Sequence, residues 1–260
     1  MTVSIAHLSD PHISHGLLAP APAAGLHAAL GRVLTLDPRP DCVVITGDLV
    51  DQGRPEEYRA LRELIERFPM PMHLLTGNHD DREGLLAEFG GSPFMGGSGA
   101  AYYSVDYSSF TVIALDSKMQ GSPAGQLGGQ QLAWLDTVLA RRPQTPAIVC
   151  LHHPPIDVGI PFLDGMRLSD GEDLAGVLVR HSNVARVLAG HVHRPIAATF
   201  AGTTLAIAPS THLQSRLALE GTVPNYVSEP SAFLLHLLAG SVWVTHTVSI
   251  SHAAAPIATF

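Results

Sequence analysis

Lysine is nearly missing from this sequence: of 15 lysines and arginines, Lys118 is the one lysine. Positive charge as a whole is scarce, since 23 acidic residues leave a formal net charge of −8. That balance argues against a surface that tracks nucleic-acid phosphates, so no nucleic-acid polymer is expected as partner. No run of about eighteen apolar residues occurs, so no membrane-spanning helix is expected. The opening Met1-Thr2-Val3-Ser4-Ile5 carries no basic region and runs directly into a strand, which reads as no signal peptide. Cysteine is limited to Cys42 and Cys150, placed at the start and end of apolar runs. They read as reduced core residues of a cytoplasmic protein rather than a disulfide pair. The lone lysine, in a chain rich in alanine, reads as base-composition bias and points to no function.

Histidine, by contrast, is plentiful, and its placement is not random. Of 15 histidines, several sit where apolar runs end. Ile5 to Ser9 leads into Asp10-Pro11-His12, and Val43-Val44-Ile45-Thr46 into Gly47-Asp48. Met72 to Thr76 leads into Gly77-Asn78-His79-Asp80, Ala147 to Cys150 into His152-His153, and Val187-Leu188-Ala189 into Gly190-His191-Val192-His193. Each run is short and apolar, as a buried strand is.

Between them lie helical patterns. Leu26, Leu30, Val33 and Leu34 give helical spacing over 23–36. Pro55-Glu56-Glu57 opens a helix whose stripe is Tyr58, Leu61, Leu64, Ile65 and Phe68. Shorter helices are expected over 83–89, 130–140 and 171–181, and 154–169 reads as irregular chain able to overhang a site. Residues 102–105 and 110–115 read as an antiparallel pair. Thr203–Ala208, Ala232–Leu238 and Val242–Val248 then follow as strands without helices. Strand–helix alternation followed by strands alone predicts an α/β, four-layer sandwich: two packed mixed β-sheets flanked by helices. At 260 residues a single domain over 1–250 is expected, with 251–260 as a C-terminal tail at a subunit interface.

In open α/β sheets ligands bind beyond the carboxyl ends of the strands. The polar groups delivered there are Asp10, His12, Asp48, Asn78, His152, His191 and His193. Carboxylate, amide and imidazole together suit Mn, Fe, Co or Zn better than Ca or Mg. Seven ligands exceed what one ion with an open position needs, and suit two ions about 3.5–4 Å apart with one carboxylate bridging.

Asp10-x-His12, Gly47-Asp48, Gly77-Asn78-His79, His152 and Gly190-His191-Val192-His193 resemble the full signature of the calcineurin-like metallophosphoesterases, in order, over about residues 3–248. Gly53-Arg54-Pro55-Glu56-Glu57-Tyr58 and Glu229-Pro230-Ser231-Ala232-Phe233 resemble most the class III cyclic-nucleotide and glycerophosphodiester phosphodiesterases. The resemblance implies Asp10, His12 and His193 on one metal, Asn78, His152 and His191 on a second, and Asp48 bridging. It implies attack on phosphorus by a metal-bridging hydroxide, with His79 a catalytic group facing the substrate. The substrate would be a small soluble 3',5'-cyclic nucleotide or glycerophosphodiester, and the assembly a homodimer or larger homo-oligomer. The purple acid phosphatase branch carries a tyrosine three residues after the bridging aspartate, where this chain has Asp51.

Individually, several of these residues admit plainer readings. Asp51 and Asp80 read equally as supports of the ligands or as capping and solvated groups. His153 reads as turned away and bonded locally, Asp116 as structural, and His7, His236 and His246 as core or sheet-face residues. His212, in Pro209-Ser210-Thr211-His212, is a candidate substrate-binding residue. Alternatives to the diesterase are a phosphomonoesterase on the same site, a nuclease, or a scaffold that has lost catalysis; the scaffold would require missing ligands, and none is missing.

Overall fold

Apolar runs of four or five residues, flanked by polar turns, build two sheets here. The computed structural model describes residues 3–250; the tail expected over 251–260 lies outside the described residues. In chain order the elements are β1 (Ser4–Leu8), α1 (Pro20–Leu34), β2 (Cys42–Ile45), α2 (Pro55–Ile65), β3 (Met72–Leu74), α3 (Arg82–Phe89), β4 (Tyr103–Asp106) and β5 (Thr111–Ala114). Next come α4 (Gly128–Arg141), β6 (Ala147–Cys150), α5 (Pro161–Asp164), α6 (Gly171–Leu178) and β7 (Val184–Ala189). Six strands complete the described chain: β8 (Ile196–Phe200), β9 (Thr203–Ile207), β10 (Gln214–Ser215), β11 (Tyr226–Val227), β12 (Ala232–Ala239) and β13 (Val242–Ser249).

One sheet has the order β13-β12-β1-β2-β3, the other β4-β5-β6-β7-β9-β8. The central strands β1-β2-β3 and β5-β6-β7-β9 are parallel, and the outer strands β12, β13, β4 and β8 join antiparallel. This is the mixed two-sheet sandwich with flanking helices that the strand and helix order predicts.

Side-chain alternation divides the second sheet between two cores. Val112, Ala114, Ile148, Cys150 and Leu188 join the core shared with β1, β2, α1 and α2. Their neighbours Ile113, Leu115, Val149, Leu151, Val187 and Ala189 pack under α4 and α6. Both cysteines are buried and unpaired, as the sequence suggests.

Two strand pairs have weak sequence signals. β8 alternates between partly buried and exposed residues at the sheet edge, and it escapes notice because only Ala201-Gly202 separates it from β9. β10 and β11 contribute two residues each, too few for any periodicity. Helix α1 starts at Pro20 rather than 23, proline being tolerated where the amide has no helical acceptor.

A line of buried polar groups crosses the first sheet. His236 Nδ1 is 2.9 Å from Thr245 Oγ1 and its Nε2 is 3.2 Å from His7 Nδ1. His7 Nε2 in turn lies 2.9 Å from Thr46 Oγ1, at the end of β2. Burial pushes His7 down to about 3 and His236 well below the ordinary imidazole value. Both rings are therefore neutral in the fold, whereas in the unfolded chain they take up protons near pH 6.5. Their contribution to stability is complete above that pH and is lost as pH falls from there toward 3. The urea midpoint is expected to drop between pH 7 and pH 5, less steeply in His236→Gln. A midpoint independent of pH over that range would contradict this.

Candidate metal centre

Five turns bring their polar residues to one end of the sandwich. Those after β1, β2 and β3 come from the first sheet, and those after β6 and β7 from the second, so the site straddles the seam between sheets. The turns are unusual in backbone. Asp10, His12, Asp48, His191 and His193 adopt positive φ of 50, 46, 46, 69 and 52°. Non-glycine residues pay about 1–3 kcal/mol each for such conformations, which persist when surroundings enforce them. Close approach also dictates glycine at two turns. A Cβ on Gly77 would lie 2.2 Å from Asp48 Oδ1, and one on Gly190 would lie 1.9 Å from Ser9 Oγ.

The polar atoms that converge are overwhelmingly acceptors. His12 Nε2 and His193 Nε2 are 3.1 Å apart. His193 Nδ1 is 2.6 Å from the Leu213 carbonyl, so Nδ1 carries the proton and Nε2 a lone pair. His152 is fixed the same way, with Nδ1 2.7 Å from the Thr46 carbonyl and Nε2 3.1 Å from Asn78 Oδ1. Asp48 Oδ2 lies 3.6 Å from His12 Nε2 and 3.4 Å from His152 Nε2. Asp10 Oδ1 lies 3.4 Å from His193 Nε2. His191 Nδ1 approaches Asn78 Oδ1 at 2.9 Å, while its buried Nε2 has no partner among the described residues.

Lone pairs held this close call for a cation or shared protons. Burial opposes ionisation throughout; at His152 the Asp48 and Asp10 carboxylates outweigh it and the ring rises to about 9, whereas burial pushes His191 down to about 3. Asp48 is likewise held well below the usual carboxylate range by His152, His12 and His79, against the cost of burial. The donor set fits transition metals. Asp10, His12, Asp48 and His193 can present atoms to a common point. Asn78, His152 and His191 gather on the other side of Asp48. His153, although close, bonds Ser117 Oγ (2.8 Å) and the Pro123 carbonyl (3.1 Å) with its two nitrogens, so it is locally committed.

Further groups hold the acceptors in place. Asp10 accepts the His191 amide on both oxygens at 3.1 Å. Asp51 stands 3.5 Å from His12 Nδ1, and the His12 hydrogen bond lowers its carboxyl. Asp80 accepts the amides of Gly77 (2.7 Å), Leu49 (3.1 Å) and Val50 (3.3 Å), together with the Tyr58 hydroxyl (3.3 Å). It thereby ties the β3 turn to the β2 turn. Asp116 has a supporting place, bonded to Thr76, Arg82 and Gln131. Lys118, read above as pointing to no function, donates to the Asn78 carbonyl at 2.8 Å.

His79 stands at the rim, half-exposed. Its Nδ1 is 2.8 Å from the Asp51 carbonyl, which leaves Nε2 free. It borders two cavities. One, of about 220 Å³, also meets Asp48, Asn78 and His191 and is walled by Ile160, Phe162 and Met166 on one side, with Val223 and Tyr226 on the other. The first wall comes from the 154–169 segment, read from the sequence as irregular, which here carries the short helix α5 with Phe162 in it. The second is the ribbon formed by β10 and β11, unseen in the sequence. His212 lines the other cavity, with His12, Asp51 and His79.

Such a centre can hold paired metal ions at the seam of a two-sheet sandwich. The chain belongs to the calcineurin-like phosphoesterase family, whose model matches residues 3–195. It is 31% identical over 263 residues to the glycerophosphodiester phosphodiesterase GpdQ of Enterobacter lignolyticus, covering 97% of this chain and 93% of that protein. It is 34% identical over 221 residues to a probable cyclic nucleotide phosphodiesterase of Synechococcus, covering 82% of each. Among solved structures, a dimetal phosphatase from Danio rerio superposes with a TM-score of 0.70 at 18% identity, covering 96% of both chains. GAP50, described as the anchor in the inner membrane complex of Plasmodium, gives 0.67 at 15% identity, covering 96% of this chain and 85% of its own. These two likenesses speak to fold alone. Among the described residues no helix is long and apolar enough to cross a membrane.

Because one carboxylate joins the two turns, Asp80→Asn is expected to lower stability by about 1–3 kcal/mol, the cost of leaving buried amides unpaired. Chemical denaturation at pH 8 measures it. An unchanged midpoint would mean that the turns hold without Asp80.

Proposed function

We propose that this chain is a dinuclear-metal phosphodiesterase acting on small soluble phosphodiesters. The observation that carries the reading is the convergence of seven acceptor-bearing side chains, two of them imidazole nitrogens 3.1 Å apart, at the mouth of a chamber sized for a small molecule. In this reading Asp10, His12 and His193 hold one ion, Asn78, His152 and His191 a second, and Asp48 is shared. The mixed oxygen and nitrogen donors favour Mn, Fe, Zn or Co. Such ions lower the pKa of water and offset charge that develops on a phosphoryl group.

The chain's own residues do the rest. Asn78 contributes an oxygen without a negative charge, so the centre keeps more attraction for an anionic diester. His79, its Nδ1 proton committed to the Asp51 carbonyl, offers Nε2 to the phosphoryl oxygens or, when protonated, to the departing alkoxide. The walls of Phe162, Met166, Val223 and Tyr226 shield the ester arm from water and suit a flat or apolar group. They favour a cyclic nucleotide over a glycerol diester, whose hydroxyls would lose water there without enough partners. His212 is proposed as a contact to the substrate from the adjoining cavity. The two buried, unpaired cysteines support a cytoplasmic location, and the place of β13 at the sheet edge among the described residues supports a homodimer or larger assembly.

Protein reconstituted with Mn, Zn, Fe or Co is expected to hydrolyse bis-p-nitrophenyl phosphate faster than p-nitrophenyl phosphate, and to lose activity on chelation. Monoester preference or metal-free activity would overturn the proposal. Cyclic AMP should be turned over with higher kcat/KM than glycerophosphocholine. His79→Ala is expected to retain both ions by elemental analysis while kcat falls about 10²–10⁴-fold, the usual contribution of an acid or base.

A further inference from the structure

The lone lysine of the chain is placed with care. Its backbone is pinned on both sides: the Lys118 amide donates to Asp116 Oδ1 at 3.1 Å, and Arg82 Nη2 donates to the Lys118 carbonyl at 2.8 Å. Asp116 and Arg82 are themselves ion-paired. From this fixed base the partly buried side chain reaches the β3 turn, where its ammonium donates to the Asn78 carbonyl at 2.8 Å.

That carbonyl belongs to the peptide unit linking Asn78 to His79. The amide at the other end of the same unit, His79 N–H, donates to Asp48 Oδ1 at 2.8 Å. One peptide group is therefore held between a cation on its oxygen and a carboxylate on its nitrogen. Each charge polarises the peptide so as to strengthen the bond at the opposite end, and both bonds are charge-assisted. Three consequences follow in space. Asp48 Oδ1 is occupied, which turns Oδ2 toward His12 and His152. The Asn78 side chain leaves a backbone of fixed direction, with Oδ1 toward His152 and His191. The His79 ring is set at the rim of the chamber.

We propose that Lys118 is a positioning residue of this centre, which aims Asp48, Asn78 and His79 together through the peptide they share. The proposal rests on the reading of those three as ligands and catalytic group. Its structural half, the polarised peptide, is testable without any metal or substrate. Lys118 also borders a separate open cavity with Arg82, Tyr102 and Gln126, behind the turn rather than in the chamber. Small reagents thus have an approach that does not pass the substrate's position.

The test uses the full chain, with Lys118→Met and Lys118→Arg. In metal-free protein, exchange of the His79 amide, followed by nuclear magnetic resonance, is expected to quicken at least about tenfold in Lys118→Met (roughly 1.4 kcal/mol). It should return to within about threefold of the parent in Lys118→Arg, whose guanidinium can donate to the same carbonyl. With Mn loaded, kcat for bis-p-nitrophenyl phosphate should fall about tenfold in the Met variant with KM little changed, and recover in the Arg variant. Treatment with an amine-acylating reagent adds a chemical arm, since Lys118 is the single lysine side chain available. Acylation should reproduce the Met loss in the parent and spare Lys118→Arg. Unchanged His79 exchange and unchanged kcat in Lys118→Met would overturn the proposal, as would loss in the Arg variant equal to that in Met. If exchange responds but neither protein binds Mn or cleaves diester, the role of Lys118 in the turn stands and the phosphodiesterase reading fails.

Discussion

Acceptor atoms repel when crowded, and the whole molecule is arranged around a crowd of them. Two carboxylates, an amide oxygen and four imidazoles bring together more lone pairs than the chain supplies donors for. Four of these groups are held from behind: His152 by the Thr46 carbonyl, His193 by the Leu213 carbonyl, Asp10 by the His191 amide and Asp48 by the His79 amide. The strained, left-handed turns belong to the same constraint. A strand end aims a side chain along one of few directions, and positive φ at Asp10, Asp48 and His193 bends three of them toward a point no ordinary turn would reach.

Much of this can be read before any coordinates. The apolar run followed by Asp, Asn or His recurs five times, and strand ends in such sheets point one way, so convergence is legible from the pattern. The supporting groups are less so. Asp80 follows a histidine in a turn and looks like any solvated acid; its bonds to Leu49 and Val50 span 30 residues or more, a separation that no local pattern encodes. Lys118 is invisible for the same reason, since its partner lies 40 residues away. The ribbon of β10 and β11 has two residues per strand, and its place over the chamber is decided by the His193 and Leu213 contact rather than by propensity. Ligating atoms leave a local trace, whereas the atoms that hold them act across the fold.

Polarity is also distributed by distance from the centre. The acceptors sit on stiff strand ends, while the chamber walls come from the 154–169 segment and from the 214–227 ribbon, which exposes Leu217, Leu219 and Val223.

The position of the centre on the seam has a mechanical meaning. Asp10, Asp48 and Asn78 ride on one sheet and His152, His191 and His193 on the other, so any ion shared among them is a clasp between two halves of the core. Without an ion, Asp48 and Asp10 face the His152 and His193 rings across the joint at 3.4 Å, and an ion seated among them adds a tie whose strength follows ion concentration. With ions bound, the resistance of the folded chain to opening would follow the metal supply around it.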